Sequence, residues 1–225
     1  DLAIRNVTII DGTGAPARTG DVGIADGRVV AVGAPGGDEV GPATTEVDGT
    51  SMMLAPGFVD PHTHYDAQLF WDPTGSPSNL HGVTTVIAGN CGFTLAPLTP
   101  GDGDYTRRMM AKVEGMPLKA LEEGIEWDWS TFPEYLTRLE GRLGVNAGFL
   151  VGHCALRRRV MGPDSVEREA TPEEIEQMRA LLAEGIRAGG LGFSTTLART
   201  HSDGDGKPVA SRWAGEDELL SLASV

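Results

Sequence analysis

Short apolar runs separated by turn signals make up the first 55 residues of the chain. The runs are rich in β-branched residues and read LAIRNVTII, DVGIAD and RVVAVG. Asp-Gly pairs, which favour tight reversals, begin at Asp11, Asp26 and Asp48. The segment holds no histidine or cysteine. The pattern predicts that residues 1–55 form strands of a small β domain with a structural task.

The pattern changes at Pro56, where near-continuous apolar runs begin to alternate with helical segments. Four runs predict buried strands, and they read FVDPHTH, GVTTVIAGNC, VNAGFLVGHC and GGLGFSTTL. Apolar strands between helices indicate an α/β fold whose parallel sheet is covered on both faces. Four βα units in this order suggest the first half of a TIM-like (β/α)8 barrel over residues 56–225. Because half a barrel leaves an open edge, we expect a longer protein or a second half that pairs with this one.

Two of the predicted helices have clear beginnings. Thr131 and Thr171 each precede a glutamate by three residues, and a proline lies in the first turn of both segments. This is the Thr-x-x-Glu capping box, in which both side chains bind backbone N–H groups at the helix start. The second helix is expected to end near Gly189, and a last helix covers EDELLSLASV.

A long excursion, residues 98–144, lies between the second and third predicted strands. It contains WDWSTF, with Trp127 and Trp129 close together. Loops that follow barrel strands often carry substrate walls, which favours a decorated βα loop. The alternative is that the two tryptophans pack a helix onto the barrel. The sequence leaves both interpretations open.

The acidic composition narrows the range of partners. The 225 residues carry a formal charge of −14 and include two cysteines. A nucleic-acid partner is not expected, because the longest basic run is Arg157-Arg158-Arg159, which we interpret as a solvated helix start. Two cysteines are too few for a secreted disulfide scaffold, and no apolar run is long enough to cross a bilayer. We therefore expect a cytoplasmic protein without a membrane partner.

Two histidines and a cysteine carry the candidate chemistry. Side chains two positions apart in a strand project to one face, so His62 and His64 are expected to point together into a barrel mouth. Two neighbouring imidazoles suit a divalent cation such as zinc, and Asp60 on the same face is placed to orient one ring. Cys91 ends the next predicted strand between two glycines, which leave room for a metal. A core role for the histidines, or for the thiol, is the alternative.

The stretch PGFVDPHTHYDAQLFWD, followed by SNLHGVTTVIAGNCGFTLAP, resembles the amidohydrolase superfamily and, within it, the N-acyl-D-amino-acid deacylases, or D-aminoacylases. LVGHCALRRRVMG and GGLGFSTTL are similar to later segments of that family. The resemblance implies a metal-dependent (β/α)8 barrel with a small N-terminal β-sandwich domain, and zinc as one or two ions. His62 and His64 match the family's ligands after the first strand, and Cys91 matches the ligand after the second.

The resemblance also implies a reaction. We expect a zinc-dependent hydrolase that splits the linear amide bond of a small N-acyl-D-amino acid into a carboxylate and a D-amino acid. The family uses two more metal histidines and an aspartate as general base, all expected beyond Val225. No catalytic residue is therefore assigned within the chain. Ser194, Thr195 and His153 are candidates for substrate binding. The alternatives are that the two hydroxyl groups only cap the fourth strand and that His153 is a buried, hydrogen-bonded residue.

Several alternatives stay open. Related branches of the superfamily use a carboxylated lysine after the fourth strand. The segment GLGFSTT contains no lysine, which argues against a cyclic amide hydrolase. Cys91 after the second strand argues against a deaminase. If the chain is complete, it is instead a non-catalytic half barrel that binds a metal or a partner. Arg157 and Arg199 are candidates for binding a substrate carboxylate. His201 is expected to be a solvated loop residue, and Cys154 a buried thiol. A homo-oligomer is compatible with the sequence.

Overall fold

The computed structural model describes residues 1–225 and shows two compact units, Asp1–Gly57 and Phe58–Val225. The first unit is a five-stranded sheet. Its strands are β1 (Leu2–Ile9), β2 (Arg18–Ala25), β3 (Arg28–Gly33), β4 (Thr45–Asp48) and β5 (Met53–Leu54). The order is β3-β2-β1-β4, and β5 also pairs with β1. β1, β2 and β3 are antiparallel neighbours, whereas β4 and β5 run parallel to β1.

A small apolar cluster stabilises this sheet. Val7 and Ile9 of β1 are two positions apart and therefore share a face, where they pack with Val22 of β2. All three are buried. The three strands that the sequence predicts are present, together with two short ones. A second sheet does not occur among residues 1–57, so the β-sandwich stays a prediction.

The second unit is built on short parallel strands. They are β6 (Phe58–Asp60), β7 (Val83–Ala88), β8 (Asn146–Phe149), β9 (Val151–Gly152) and β10 (Phe193–Ser194). β6, β7 and β8 pair in that order, and β9 pairs with β10. The N–H of Leu150 also donates to Ala88, and that of Leu191 to Phe149. The predicted α/β class with parallel strands is therefore confirmed, while an eight-stranded barrel is not shown.

β6 differs from the prediction in length and in burial. The strand ends at Asp60, and the side chains of Phe58 and Val59 are 65% and 60% exposed. The expectation of a buried first strand is wrong, because β6 lies at the edge of the sheet and packs chiefly against β7. Pro61 has no N–H group to extend the ladder, which explains why the strand stops before it.

Six α-helices accompany the strands. They are α1 (Gly103–Glu114), α2 (Leu118–Glu123), α3 (Phe132–Leu139), α4 (His153–Met161), α5 (Pro172–Arg187) and α6 (Glu216–Ala223). Both predicted capping boxes are confirmed, since Thr131 with Glu134 and Thr171 with Glu174 form the reciprocal hydrogen bonds. None of the helices combines the length and the apolar character needed to cross a lipid bilayer.

The excursion between β7 and β8 contains α1, α2 and α3 and is packed through aromatic side chains. Trp129 is 3% exposed, and its ring stacks on Phe70 with centroids 5.0 Å apart. Its indole N–H donates to the carbonyl oxygen of Leu95 at 2.8 Å. Trp127 stacks on Trp129 at 5.7 Å. The packing interpretation is therefore confirmed for Trp129, and a substrate wall in this segment stays a prediction.

Arg157 lies inside α4 and is completely buried. Its guanidinium forms an ion pair with Glu218 of α6 and donates to the carbonyl oxygen of Arg168 at 2.7 Å. The expectation of a solvated helix start is wrong for this residue, because Glu218 compensates its charge in the interior. Since both interactions are internal, Arg157 is not free to bind a substrate carboxylate.

Candidate metal centre

Adjacent parallel strands bring the candidate ligands to the same edge of the sheet. The ladder between β6 and β7 resumes after Pro61, because the N–H of Thr63 donates to the carbonyl oxygen of Ile87 at 2.9 Å. His62 and His64 flank Thr63, and Cys91 follows shortly after the end of β7. The three side chains therefore lie where parallel strands end, which is the edge at which α/β folds place their ligands.

His62, His64 and Cys91 form a compact donor cluster. One donor atom of each residue lies within 4.8 Å of the other two. Cys91 Sγ is 3.4 Å from His62 Nε2, and the two imidazole centroids are 5.4 Å apart. His62 is exposed, whereas His64 and Cys91 are half-buried. A cation bound by these atoms would be accessible from solvent on the His62 side.

Residues 89–92, which we call the Cys91 loop, have an uncommon backbone conformation. Gly89, Cys91 and Gly92 have φ values of +77°, +56° and +80°. This left-handed region is easily adopted by glycine but costs energy for a residue with a Cβ atom. A Cβ atom at Gly89 would also lie 2.3 Å from the carbonyl oxygen of Leu150. The two glycines are therefore required by the path of the chain around Cys91.

Three polar side chains hold the Cys91 loop. The amide group of Asn90, within the loop, donates to the carbonyl oxygens of Thr63 at 3.3 Å and Ile87 at 2.9 Å. The Ser194 hydroxyl donates to the carbonyl oxygen of Gly89 and accepts the N–H of Gly92 at 3.0 Å. Asp66 Oδ2 accepts the N–H of Gly89 at 3.0 Å. Hydrogen bonds thus restrain the backbone on both sides of Cys91.

Asp60 does not orient a histidine ring, as the sequence led us to expect. Its Oδ1 accepts the backbone N–H of His62 at 3.3 Å. The strand ends at Asp60 and the chain bends, so the short carboxylate reaches the amide two residues ahead, as aspartates in turns commonly do.

His64 is kept neutral by its surroundings. Burial, together with His62 and His201, lowers the pKa of His64 to about 4. Its Nδ1 is buried and makes no hydrogen bond, although Glu114 Oε1 lies 3.3 Å away. A metal binds the neutral form of imidazole, so this protonation state suits a ligand.

Two carboxyl groups near the cluster were not among the sequence predictions. Glu114 ends α1, and burial raises its pKa to about 7. Asp66 is completely buried, which raises its pKa to about 7, and its Oδ1 has no hydrogen-bond partner. Asp66 lies two residues after His64, so closeness in sequence was a usable signal for it. Glu114 reaches the site only through the fold of the excursion, and no local pattern indicates it.

The donor set fits zinc. Two imidazole nitrogens and a thiolate sulfur are ligands that zinc prefers, and His62, His64 and Cys91 would hold the ion here. Burial and the Glu114 carboxylate raise the pKa of the Cys91 thiol above its ordinary value. A nearby divalent cation reverses this preference, because it favours the thiolate. The buried and unsatisfied Nδ1 of His64 is a further indication that the cluster is built for a binding partner.

The residues predicted to bind substrate lie near the cluster, but their polar atoms are directed inward. Ser194 is 9% exposed and bonded to the Cys91 loop. His153 is completely buried, with Nδ1 2.9 Å from Thr195 Oγ1 and Nε2 2.7 Å from Glu218 Oε1. Burial lowers the pKa of His153. These contacts occupy the atoms that would meet a substrate, and substrate binding by the three residues stays a prediction.

The remaining histidine of interest, His201, packs against Phe93 with ring centroids 5.1 Å apart. Its Nδ1 lies 3.0 Å from Thr196 Oγ1. The expectation of a solvated loop residue is wrong, because the Phe93 ring that also faces His64 gives His201 a half-buried position beside the cluster. Cys154 is 2% exposed, which confirms a buried thiol.

Comparison with known proteins places these features in a family. Residues 45–224 match the Amidohydrolase family. Over 87% of its length the chain is 41% identical to the N-acyl-D-aspartate deacylase of Alcaligenes xylosoxydans xylosoxydans. Over the same share it is 39% identical to the D-aminoacylase of that organism. The chain spans 36% and 37% of the length of these two relatives.

The chain is also similar to the solved structure of a deacylase. The N-acyl-D-glutamate deacylase of Bordetella bronchiseptica, in complex with zinc and a phosphonate mimic of the tetrahedral intermediate, matches with a TM-score of 0.78 and 33% identity. The match covers 99% of this chain and 42% of that one.

Proposed function

The chain belongs to the amidohydrolase family, and on this basis we propose that it forms the metal-binding part of a hydrolase that deacylates N-acyl-D-amino acids. The observation that carries the proposal is the convergence of His62, His64 and Cys91 donor atoms within 4.8 Å. Two separate stretches of the chain supply these donors, and the fold brings them to the edge where ligands bind in this class of protein. The deacylase relatives support the choice of a linear amide as the bond that is broken.

The architecture of the whole protein is part of the proposal. Residues 56–225 supply the first four βα units of a TIM-like (β/α)8 barrel, with residues 98–144 as an insertion. Residues 1–55 supply strands of a small β-sandwich. Parallel segments that lie side by side in chain order support this arrangement. The general-base aspartate and two further metal histidines are proposed to lie outside these residues.

The ligand assignment gives each donor a defined chemical state. Bound zinc supplies Lewis acidity, which lowers the pKa of a water molecule and polarises an acyl carbonyl group. His62 and His64 bind as neutral imidazoles, and the pKa of about 4 keeps His64 in that form at neutral pH. Cys91 binds as the thiolate and loses its proton when the metal arrives.

The substrate is proposed to be a small N-acyl-D-amino acid. The names of the relatives include two acidic amino acids, D-aspartate and D-glutamate, and one unspecified D-amino acid, so acidic and neutral side chains both have to be tested. A cytoplasmic location and a homo-oligomeric state stay predictions. One or two zinc ions are compatible with the donor set.

Hydrolysis of a defined panel tests the function. The whole protein, including the part proposed to supply the aspartate and the two further histidines, is purified, stripped with a chelator and assayed with the N-acetyl derivatives of D-aspartate, D-glutamate and D-leucine, before and after zinc is restored. We expect a free D-amino acid only with zinc, and no release from the L-enantiomers. A zinc-loaded protein that hydrolyses none of the three would contradict the proposal and favour the non-catalytic, metal-binding alternative.

The two cysteines provide a matched pair for the ligand assignment. Cys91→Ala removes a proposed ligand, so zinc bound per chain should fall when measured by atomic emission after dialysis. Cys154→Ala removes a buried thiol outside the cluster and should leave the zinc content unchanged. Equal zinc contents in the two variants would show that Cys91 is not a ligand.

A further inference from the structure

We propose that Ser194 is a positioning residue that sets the location of the Cys91 thiolate at the metal centre. The inference rests on the metal-binding part of the proposed function and does not depend on which substrate is hydrolysed. It assigns to Ser194 a role through the backbone of the Cys91 loop, without contact to the metal.

The contacts of Ser194 enclose Cys91 on both sides. Its hydroxyl donates its proton to the carbonyl oxygen of Gly89, two residues before the cysteine, and accepts the N–H of Gly92, one residue after it. A serine hydroxyl has one proton and two lone pairs, so both bonds form at once. The side chain is 9% exposed, which means that water does not easily replace either bond.

The loop needs such a restraint because its conformation is costly. Cys91 has a φ of +56°, a value that a residue with a side chain adopts only when its surroundings enforce it. The turn places Cys91 Sγ 3.4 Å from His62 Nε2. A backbone that relaxed to negative φ would direct the thiol elsewhere. Asp66 and Asn90 also contribute, but only before the cysteine, through the Gly89 amide and through the Asn90 side chain.

Ser194 is itself held in place by the sheet and by a buried chain of polar contacts. It lies in β10, which pairs with β9 through Gly152. The next residue, Thr195, contacts His153, and His153 contacts Glu218 at 2.7 Å. The pairing of β10 with β9 therefore fixes the position from which the Ser194 hydroxyl reaches the Cys91 loop.

Removal of the hydroxyl should weaken metal binding while the fold is kept. Ser194→Ala leaves the Gly89 carbonyl and the Gly92 amide without their partner, so the loop relaxes. Outer-sphere partners of metal ligands typically contribute about 10- to 100-fold to metal affinity, and we expect a loss of this size. The matched control is Ser211→Ala. Ser211 is also buried, and its hydroxyl donates to a backbone carbonyl, that of Thr196 at 2.9 Å, but it makes no hydrogen bond with the Cys91 loop.

The experiment measures cobalt(II) binding to the full protein by competition with a chromophoric chelator. It also records the thiolate-to-cobalt charge-transfer absorption, which reports on the Cys91–metal bond. We expect Ser194→Ala to bind cobalt at least about tenfold more weakly, with reduced charge-transfer intensity at saturation. Ser211→Ala should match the wild type in both measurements. Equal affinities and spectra for wild type and Ser194→Ala, or an equal loss in the Ser211→Ala control, would overturn the proposal.

A second measurement on the unaltered protein covers the case in which Ser194→Ala does not fold. Hydrogen exchange of the metal-free protein should show a protected Gly92 amide, because Ser194 accepts it with or without a metal. Rapid exchange of that amide would contradict the proposal. The Cys91→Ala variant separates this inference from the function. If Cys91→Ala loses the metal and Ser194→Ala keeps it, the metal centre stands and only the role of Ser194 fails.

Discussion

At the scale of single residues, Gly89 determines how the chain leaves β7. Its backbone is left-handed, and the space where a Cβ atom would lie is filled by the backbone of Leu150, with the carbonyl oxygen at 2.3 Å and the nitrogen at 2.9 Å. The residue at position 89 must therefore adopt a left-handed backbone, and it must also lack a Cβ atom. The close approach of the two backbones brings the Cys91 loop next to the segment that joins β8 and β9.

Alanine substitutions separate these two requirements. Gly206 also has a positive φ, +83°, but no heavy atom lies within 4 Å of its virtual Cβ. Gly206→Ala should cost about 1–2 kcal/mol of unfolding free energy, the conformational part alone. Gly89→Ala should cost about 1–3 kcal/mol more, because the methyl group has to displace the Leu150 backbone. Urea denaturation measures the unfolding free energy of both variants. Equal losses of stability would show that the Leu150 backbone moves aside at little cost.

Residues with a local signature were identified from sequence, whereas contacts that residues make through the fold were not. Ser194 was predicted, but only as a substrate-binding residue. His62, His64 and Cys91 stand at the ends of apolar runs, so their positions follow from the strand pattern alone. Ser194 meets the Gly89 carbonyl across a separation of 105 residues, which no short pattern records. The same is true of Glu114, which approaches His64 only because α1 folds back over the site.

At the scale of elements, α4 and α6 are joined by a buried ion pair. Arg157 is completely buried and Glu218 is 2% exposed, and His153 binds the second oxygen of the same carboxylate. Burial opposes ionisation of Glu218, but the hydrogen bonds from His153 and Arg157 outweigh it, so the pKa of Glu218 lies below its ordinary value. The capping boxes of α3 and α5 were predictable because both partners lie within four residues. Arg157 and Glu218 are 61 residues apart, so their pairing was not.

Neutralising this carboxylate should destabilise the second unit. Glu218→Gln leaves a buried guanidinium without a counter-charge, and loss of one partner of a buried pair costs about 3–5 kcal/mol. Glu216→Gln is the control, because it makes the same change in the same first turn of α6 at an exposed position. Glu216→Gln should lose at most about 1 kcal/mol of unfolding free energy, because it removes a charge that interacts favourably with the helix dipole. Denaturant unfolding at neutral pH measures both variants.

The difference in unfolding free energy between the wild type and Glu218→Gln should change with pH in a defined direction. Since the folded-state pKa of Glu218 is lowered from 4.5, the unfolded chain takes up the proton first on acidification. The stability that Glu218 contributes is fully present above pH 4.5 and is lost as the pH falls through its folded-state pKa. The gap in unfolding free energy between the wild type and Glu218→Gln should therefore narrow below pH 4.5. A gap that widens there would contradict the assignment of an ionised Glu218.

At the scale of the whole molecule, exposed apolar side chains coexist with a strong negative charge. Phe58 and Val59 of the edge strand β6 are largely exposed, and the net charge is −14. An unpaired apolar edge favours association with another chain, whereas like charges oppose it. The sequence predicted the strand order, but it did not predict this exposure, because burial depends on what covers a strand and not on its own composition.

This balance predicts salt-dependent self-association of the 225-residue chain. Salt shortens the screening length to about 8 Å at physiological ionic strength, so repulsion weakens and the edges should pair. Val59→Lys places a charge on the edge and should reduce association, whereas Leu220→Lys, an equal change in charge at an equally exposed position on α6, should not. Light scattering over a series of salt concentrations measures the average mass of the particles and hence the degree of self-association. An equal effect of both variants would mean that charge alone governs association.

The stack of Phe70, Trp129 and Trp127 gives the molecule an intrinsic optical probe. Two indole rings whose centroids are 5.7 Å apart share their electronic excitations, so their near-ultraviolet circular dichroism differs from that of separate tryptophans. Both rings belong to the excursion, while Phe70 belongs to the segment after His64. The coupled signal therefore reports whether the excursion keeps its folded conformation, and it does so in the unlabelled protein.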